Sequence, residues 1–313
     1  MYTTKELALV IPTKDRPKQV KRHLQSLVDQ NCKLGRVIVV ASGVDIEEIV
    51  LSFKDRLPVE YYRSEPGQIK QRNLGISKLD YKTKLVASMD DDVTYEEDAI
   101  KNIIAFWNET SGNIGGVGFN IINMDEFKSS IFVRLLEGPK ANAPGSVLKS
   151  GVNTSITNVN VDIHSEWLNG GGTVWKKEIL LKYKHQEIKS KWALYEDAIF
   201  SYPISKEWDF FICSKSKIKI EYIPVMDNQS KQSYFIGISY VLWRLLFVVN
   251  NKDLSLFHYY KRVLFQIFSN LFKCVFLLNK YHLMHAIGIL VGLSKVLFIP
   301  KSKNEVLKLI ENI

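Results

Sequence analysis

The sequence KLVASMDDDV, residues 84 to 93, decides how the rest of the chain is interpreted. The apolar run Lys84–Met89 predicts a buried strand, and three acids follow it directly. Adjacent carboxylates repel one another and would be costly inside a core. A hard divalent cation removes that cost, because Mg²⁺ and Mn²⁺ prefer carboxylate oxygens together with substrate phosphates. In an extended segment Asp90 and Asp92 point the same way and can share one metal.

A second interpretation of these acids stays open at this point. A helix is predicted over Glu96–Trp107, and Asp92 or Thr94 could cap its first turn. The triplet would then be an acidic loop without a ligand. The position of the triplet at the end of a predicted strand favours the metal-binding interpretation.

Around this stretch, apolar runs alternate with amphipathic segments through the first 120 residues. Continuous apolar strands separated by helices predict an α/β fold with a Rossmann-like, mostly parallel central sheet flanked by helices. Such a sheet binds ligands beyond the carboxyl ends of its strands. The predicted strands are Leu7–Ile11, Val37–Ala41, Val59–Tyr62, Lys84–Met89 and Ile114–Phe119. The predicted helices begin near Asp15 (as N-cap, with Pro17 in the first turn) and cover Ile46–Phe53, Gln68–Lys78 and Glu96–Trp107.

Length and composition limit the remaining options. The chain has 313 residues, enough for one α/β domain and an appendage, and a net charge of +9 that is compatible with anionic partners. Its three cysteines lie far apart, which indicates neither a disulfide framework nor a zinc site. The first apolar run is too short for a secretory signal. We therefore expect a cytoplasmic protein.

The last eighty residues change character. Tyr234–Val249, Val263–Leu278 and Leu283–Ile299 are apolar and aromatic, but each contains or borders a base. None is a clean run of the roughly 18 apolar residues that a membrane span needs. They predict amphipathic helices that either pack on the first domain or lie on the inner face of the cell membrane. The bases that would face anionic lipid are Lys261, Arg262, Lys273, Lys280, Lys295, Lys301 and Lys303.

Five segments, in order, resemble the motifs of the family 2 glycosyltransferases, which carry the GT-A fold. Together they span roughly residues 7–205, and five in order are far more specific than any one. The segments are LVIPTKDR from Leu9, EPGQIKQRNLGI from Glu65, the DxD-like Asp90–Asp92, NGGGT from Asn169 and YEDAIF from Tyr195.

The resemblance implies a nucleotide-sugar donor linked to UDP, GDP or dTDP, and a divalent metal, Mn²⁺ or Mg²⁺. Negative charge develops on the leaving diphosphate, so a metal and nearby bases would stabilise it. By resemblance, Asp92 and Asp90 hold the metal. The donor-binding residues it implies are Pro12, Thr13, Asp15, Ser42, Arg72, Asp90 and Asp91.

For the acceptor half, the resemblance implies that Asp197 is the base that deprotonates the acceptor hydroxyl. Inverting displacement needs such a carboxylate on the opposite face of the sugar. Gly171, Gly172 and Glu196 would lie on the acceptor side. Simpler interpretations stay open: Arg72 could pair with Glu65, the glycines could form a tight turn, and the two acids could serve only a helix N-terminus.

The chain also departs from the family pattern. The second strand usually ends in an Asp that contacts the base, whereas here it reads VASGVD, so Ser42 or Asp45 would have to replace it. The Gln-x-x-Arg-Trp motif of processive synthases is absent, and Trp243-Arg244 resembles the Arg-bearing segment of rhamnosyl- and similar transferases. We therefore expect transfer of one sugar to a polysaccharide or lipid-linked acceptor. The expected domains are a catalytic GT-A domain, 1–230, and a helical region, 231–313.

Four rival functions are weaker. A nucleotidyltransferase would need a Gly-rich loop after the first strand, and a dehydrogenase would need GxGxxG; neither pattern is present. A catalytically inactive scaffold would explain the missing second-strand Asp, but the acids at Asp90–Asp92 and Asp197 are intact. Nucleic acid is not expected as a partner, because the basic and aromatic residues concentrate in the C-terminal helices.

Overall fold

The computed structural model describes residues 1–190, 194–221 and 229–312. The chain forms two compact units. The first unit contains Met1–Phe127, Ser155–Glu187 and Phe200–Tyr222, and the second contains Lys128–Thr154, Ile188–Ile199 and Ile223–Ile313. The functional division at residue 230 stays a prediction.

A nine-stranded sheet forms the centre of the first unit, in the order β3-β2-β1-β4-β8-β6-β9-β5, with β7 paired to β9. Pairing is parallel from β3 to β4 and between β6 and β9, and antiparallel for β8, β5 and β7. The mixed α/β fold is confirmed. The strands are β1 Leu7–Lys14, β2 Arg36–Ser42, β3 Val59–Arg63, β4 Leu85–Met89, β5 Val93–Tyr95, β6 Ile114–Ile121, β7 Ile163–Ser165, β8 Gly172–Lys176 and β9 Asp209–Ile220.

Helices pack on this sheet because their apolar faces match its continuous apolar strands. α3 contacts β1 and β2, α4 contacts β9 and β6, and α1 contacts β5. One apolar core holds the unit together, with β1, β2 and β4 almost fully buried. The helices are α1 Pro17–Val28, α2 Glu47–Leu51, α3 Gln68–Ser77, α4 Ala99–Glu109 and α6 Lys177–Lys182.

Two predicted helix starts are wrong. Arg16, not Asp15, is the N-cap residue of α1, because Asp15 has a φ of 56° and its carboxylate accepts from the Val44 N–H instead. α4 begins at Ala99 after Asp98, so neither Asp92 nor Thr94 caps it. The acidic triplet is therefore not a helix cap, and the capping interpretation is excluded.

The second unit is helical. Its core contains the apolar faces of α8, α9, α10 and α11, and α8 packs most closely on α10. The close approach uses glycines: a Cβ on Gly288 would lie 2.0 Å from the Tyr234 carbonyl oxygen. The helices are α5 Ile131–Glu137, α8 Gln229–Asn250, α9 Leu256–Leu277, α10 Lys280–Leu297 and α11 Lys303–Glu311. α7, Glu196–Ile204, has its first residues in this unit and its last in the other.

Among the described residues, one helical segment, Ser230–Asn250 of α8, is long and apolar enough to cross a membrane. Of its most apolar window, 67% is buried, as expected for the central helix of a helical core. It also contains Arg244, which is completely buried. Length and composition alone are therefore weak grounds for treating α8 as a membrane span.

Candidate active site

The acidic triplet lies where β4 ends, and its first acid is tightly held. Asp90 Oδ1 accepts from Arg72 Nη2 at 2.7 Å and from Gln68 Nε2 at 2.8 Å, both from α3. Arg72 is only 3% exposed and pairs with this acid, so the predicted alternative of a pair with Glu65 is wrong.

The other two acids share one arginine. Asp91 is buried, and its Oδ2 accepts from Thr13 Oγ1 at 2.6 Å. Arg16 Nη1 lies 3.0 Å from Asp91 Oδ1 and 3.2 Å from Asp92 Oδ2. Burial raises the pKa of both acids; Arg16 opposes this for each, and the neighbouring carboxylates add to it at Asp92. The negative charges of the triplet therefore repel one another, and a nearby cation would stabilise them.

These acids line a cleft of about 630 Å³ in the first unit. Five of the predicted donor-side residues meet there: Pro12, Thr13, Asp90, Asp91 and Asp92. The sequence reasoning gave no role to the other residues of the lining, Lys14, Arg16, Pro66, Gly67, Gln68 and Gln71. The cleft thus has acids at one end and bases beside them, at the carboxyl ends of β1 and β4, as expected for a parallel sheet.

Helix α3 is fixed to the sheet beneath the cleft by two residues of the QRNLG segment. Gln71 Nε2 donates to the carbonyls of Thr13 and Val40, each at 2.7 Å, and so joins the ends of β1 and β2. A Cβ on Gly75 would lie 2.4 Å from Val10 Cγ1, so only glycine allows α3 to pack this closely on β1. This packing holds Arg72 in its position beside Asp90.

The glycine segment lies against the triplet. The Asp90 N–H donates to the Gly171 carbonyl at 3.1 Å, and Ser88 Oγ donates to the Gly170 carbonyl at 2.7 Å. A Cβ on Gly171 would lie 2.0 Å from Asp90 Oδ2. Gly172 begins β8 and pairs with Met89. The segment is therefore more than a tight turn, because it packs directly on an acid of the cleft.

Three predicted donor residues lie outside the lining of the cleft: Ser42, Asp15 and Arg72, of which Arg72 pairs with Asp90. Ser42 ends β2, is buried, and its Oγ has no hydrogen-bond partner. The Asp15 carboxylate lies against Gly43, just beyond β2. Asp45 accepts from Tyr61 and from the Glu47 N–H, which leaves it at the start of α2. Of the two carboxylates, Asp15 is the one that lies beside the end of β2.

Glu196 and Asp197 lie in the first turn of α7, in the second unit. Acids there are favoured by the helix dipole, so this position is compatible with the simpler interpretation. The role of Asp197 as a base and that of Glu196 on the acceptor side stay predictions.

The residues of the cleft fit a Mg²⁺- or Mn²⁺-type site. Asp90 and Asp92 offer hard oxygen ligands, and burial and the neighbouring carboxylates raise the pKa of Asp92, so a cation there would stabilise its charge. Within the described ranges, no group of three or more His, Cys, Asp or Glu residues forms a ready-made metal cage. Mg²⁺ in a phosphate-binding cleft is typically held by one or two carboxylates and completed by substrate phosphates. Asp90 and Asp92 would be the protein ligands.

Comparison with known proteins now decides the family. A sequence model described as Glycosyl transferase family 2 matches residues 8–154, the segment that supplies β1, α3 and the triplet. Residues 8–154 thus form a family 2 glycosyltransferase domain. No curated protein matches the chain in sequence.

Solved structures resemble this glycosyltransferase in fold. A mannosyltransferase, PcManGT from Pyrobaculum calidifontis in complex with GDP-Man and Mn²⁺, is 12% identical, with a TM-score of 0.56 over 96% of this chain and 79% of that one. Residues 1–349 of TarS from S. aureus are 15% identical, with a TM-score of 0.47 over 78% of this chain and 69% of that one. The mannosyltransferase match, together with the family match, confirms the GT-A fold.

Sequence reasoning quoted two charged residues of the glycosyltransferase cleft, Lys14 and Arg16, without giving them a role. Arg16 stands directly before the Pro17 that opens α1, and it was assigned no role. A signal was present, because an arginine following a strand of a basic chain and preceding a helix is placed where anionic ligands bind. Its pairing with Asp91 and Asp92 needed the fold.

Proposed function

We propose that this glycosyltransferase is metal-dependent and inverting, and that it moves one sugar from a nucleotide-sugar donor to a glycan or lipid-linked acceptor. The observation that carries the proposal is the cleft, in which Asp90–Asp92 lie beside Lys14 and Arg16 at the carboxyl end of the sheet. Acids for a cation and bases for a diphosphate are what the leaving group requires.

The donor would bind with its diphosphate toward the triplet. A divalent cation bound by Asp90 and Asp92 would supply positive charge against the leaving diphosphate. Arg72 fixes the orientation of Asp90, and Gly171 leaves room for that carboxylate. Thr13 fixes Asp91 in the same way. The chain's own contribution is thus to hold these carboxylates ready for a cation.

The acceptor hydroxyl must lose a proton as the new bond forms. We assign that step to Asp197, on the resemblance of YEDAIF to the family's Glu-Asp motif. The structurally similar mannosyltransferase was solved with GDP-Man and Mn²⁺, which supports a nucleotide-linked sugar and a metal here without identifying either.

Thermal unfolding with ligands tests the donor site. We expect the melting temperature to rise only when Mn²⁺ is combined with one of the UDP-, GDP- or dTDP-sugars, since a ligand of the native state stabilises it. Asp92→Ala should remove the rise. The matched control is Asp98→Ala, an exposed acid of the first unit that lies outside the cleft lining. Folded protein with no shift for any donor would favour the inactive scaffold.

The second unit supports a membrane location. From Leu254 to Asn304 the sequence contains seven bases and no acid. α9 and α10 leave many large apolar side chains exposed, and Lys273, Lys280, Lys295 and Lys303 are exposed among them. We call these side chains the apolar basic surface. Its apolar members are Phe257, Leu264, Phe268, Leu271, Phe272, Val275, Phe276, Leu277, Leu278, Tyr281, Leu283, Ile287, Leu290, Leu297 and Phe298.

Not every predicted base belongs to this surface. Lys261 donates to the Leu136 carbonyl, Arg262 faces the buried Glu137, and Lys301 donates to carbonyls at the end of α10. The remaining lysines would each contribute about 1 kcal/mol near anionic headgroups. Apolar side chains rimmed by lysines match an anionic lipid surface in chemistry. We therefore propose that the enzyme binds the inner face of the cell membrane, where a lipid-linked acceptor would lie.

Vesicle sedimentation tests this location independently of catalysis. The protein should sediment with phosphatidylglycerol-containing vesicles, and less with pure phosphatidylcholine. The double variant F272S/F276S removes two exposed rings of α9 that pack on each other and should weaken binding by about tenfold or more. Tyr81→Ser, which removes an exposed ring of the first unit, is the control. Equal binding by F272S/F276S and wild type would contradict the proposal.

A further inference from the structure

Arg16 is the cleft residue whose position the proposed chemistry does not yet explain. Its side chain is 44% exposed, and one nitrogen, Nη1, lies within hydrogen-bond distance of both Asp91 and Asp92. It therefore occupies the side of Asp92 that faces the cleft. A divalent cation bound by Asp92 would have to share that carboxylate with a guanidinium.

The second arginine of the cluster behaves differently. Arg72 is 3% exposed and emerges from the middle of α3, so packing fixes it beside Asp90. Arg16 precedes the first turn of α1 and has solvent around much of its side chain. Exposed arginine side chains change rotamer in picoseconds to nanoseconds. Of the two, only Arg16 is free to exchange one anionic partner for another.

The charges make such an exchange favourable. In the described structure Arg16 partly neutralises Asp91 and Asp92, because its Nη1 lies 3.0 Å from Asp91 Oδ1 and 3.2 Å from Asp92 Oδ2. A cation at Asp92 would supply that neutralisation itself and would repel the guanidinium. A diphosphate in the same cleft offers an arginine two oxygens in the geometry it binds best.

We infer that Arg16 is a counter-ion that alternates between two partners: it holds Asp91 and Asp92 while the cleft is empty of donor, and it binds the donor diphosphate once a divalent cation takes Asp92. The inference rests on the proposed function, because it assumes a divalent cation at Asp92. Arg16 would thus couple the binding of metal to the binding of nucleotide. By linkage, each of the two ligands would then increase the affinity of the other.

Mn²⁺ binding measures this coupling without turnover. Full-length protein is titrated with Mn²⁺, and the EPR signal of the free ion is followed, first alone and then with UDP or GDP. Arg16→Gln should bind Mn²⁺ alone about threefold to tenfold more tightly than wild type, because the competing ion pair is lost. With saturating Mn²⁺ it should bind the nucleoside diphosphate more weakly by a similar or larger factor.

Arg22→Gln is the matched control. Arg22 lies on α1, is 46% exposed and pairs with Glu221, so its loss removes the same charge from the same unit without removing a side-chain partner of the triplet. It should leave both affinities within about twofold of wild type, since exposed pairs are weak and screened. Arg16→Lys keeps the charge but loses the fork, and should bind Mn²⁺ like wild type while losing part of the nucleotide affinity.

Two failures can be told apart. If wild type binds Mn²⁺ and Arg16→Gln binds it equally or more weakly, the counter-ion role is overturned and the metal site stands. If neither protein binds Mn²⁺, with or without nucleotide, although both are folded, the metal-dependent function itself fails.

Discussion

Two buried arginines show how differently the two units use charge. Arg72, in the first unit, is 3% exposed and donates to the Asp90 carboxylate. Arg244, in the second, is 0% exposed, donates to the Tyr240 hydroxyl and lies over the rings of Tyr240 and Tyr259. Its Nε and Nη2 have no hydrogen-bond partner.

This difference distinguishes the candidate site of the first unit from the apolar core of the second unit. In the first unit a buried cation is matched to an acid that lines a cleft, so the pair costs little and fixes the orientation of that acid. In the second unit the cation lies mainly among aromatic rings, where cation–π attraction compensates only part of its desolvation. Apart from the Arg262–Glu137 pair, the second unit presents exposed charge on the lysines of the apolar basic surface. The predictions below test whether chemistry and stability divide in the same way.

The largest effect on activity should come from Asp197→Asn, because this variant would remove the proposed general base. It tests whether the second unit supplies a catalytic group. Loss of a general base should lower kcat by about 10²- to 10⁴-fold. Donor and Mn²⁺ should still raise the melting temperature, since the cleft of the first unit is untouched. Single-turnover transfer from a radiolabelled donor measures the chemical step. Transfer at the wild-type rate would leave Asp197 as a helix N-terminal acid only.

Acid should destabilise the first unit through its buried histidines. Burial lowers the pKa of His23 to about 4, and burial with the nearby Arg72 lowers that of His185 to about 3. Both histidines are neutral when folded and take up a proton only when unfolded below pH about 6.5. Their contribution is fully present above pH about 6.5 and is lost as the pH falls toward 4 and then 3.

For His23 alone the loss over that range amounts to about 3 kcal/mol in the free energy of unfolding. Urea unfolding at pH 7, 6, 5 and 4 measures it. His23→Gln cannot be protonated and should flatten the slope, whereas the exposed His164→Gln should not. Identical slopes for wild type and His23→Gln would show that His23 is not held neutral by the fold. Arg244 gives no such pH dependence, because arginine stays charged.

Apolar periodicity predicted the parallel half of the sheet well. The runs at Leu7, Val37, Val59 and Leu85 became β1–β4, because fully buried strands need continuous apolar residues. Short β5 and β7 and the antiparallel β8 were missed, since three to five residues carry too little pattern and β8 depends on distant partners.

The residues of the candidate site likewise divide into those that the sequence predicted and those whose position depends on the fold. The triplet could be predicted from three adjacent acids at the end of a strand, whereas Thr13 was implied by the resemblance to the family. Arg72 was found through a resemblance, but its partner was not, because the pairing with Asp90 depends on how α3 packs on β1. Asp15 was given the wrong local role, because its positive φ turns its carboxylate toward Val44.

Gly171→Ala probes how closely the triplet is packed. The new Cβ would lie 2.0 Å from Asp90 Oδ2, and Arg72 and Gln68 restrain that carboxylate from moving away. Overpacking of this kind costs about 1–3 kcal/mol. We expect Mn²⁺ affinity to fall about tenfold if half of that cost is expressed in the bound state. Gly138→Ala, where a Cβ meets nothing within 4 Å but φ is positive, controls for backbone effects. Unchanged metal binding in Gly171→Ala would remove Asp90 from the ligand set.

The smallest expected effect concerns Arg72 and Arg244. The test is whether each substitution lowers or raises the free energy of unfolding. Arg72→Met leaves Asp90, whose side chain is 36% exposed, without its charged donor, and should lower the free energy of unfolding by about 1 kcal/mol. Arg244→Met places an apolar chain of similar size among rings and removes two unsatisfied buried donors. Replacing poorly paired buried charge in this way is neutral or stabilising, here by about 1 kcal/mol.

Urea unfolding of the full chain compares the two variants directly, and Mn²⁺ titration adds a functional readout. Arg72→Met should weaken metal binding because Asp90 loses its orientation, whereas Arg244→Met should not alter it. If both variants lower the free energy of unfolding equally, the aromatic rings around Arg244 stabilise its charge as well as the Asp90 carboxylate stabilises that of Arg72. If Arg244→Met is more stable than wild type but no longer transfers sugar, Arg244 is needed for the reaction and not for stability. The second unit would then retain a costly buried cation for the reaction, and the division of charge between site and core would not hold.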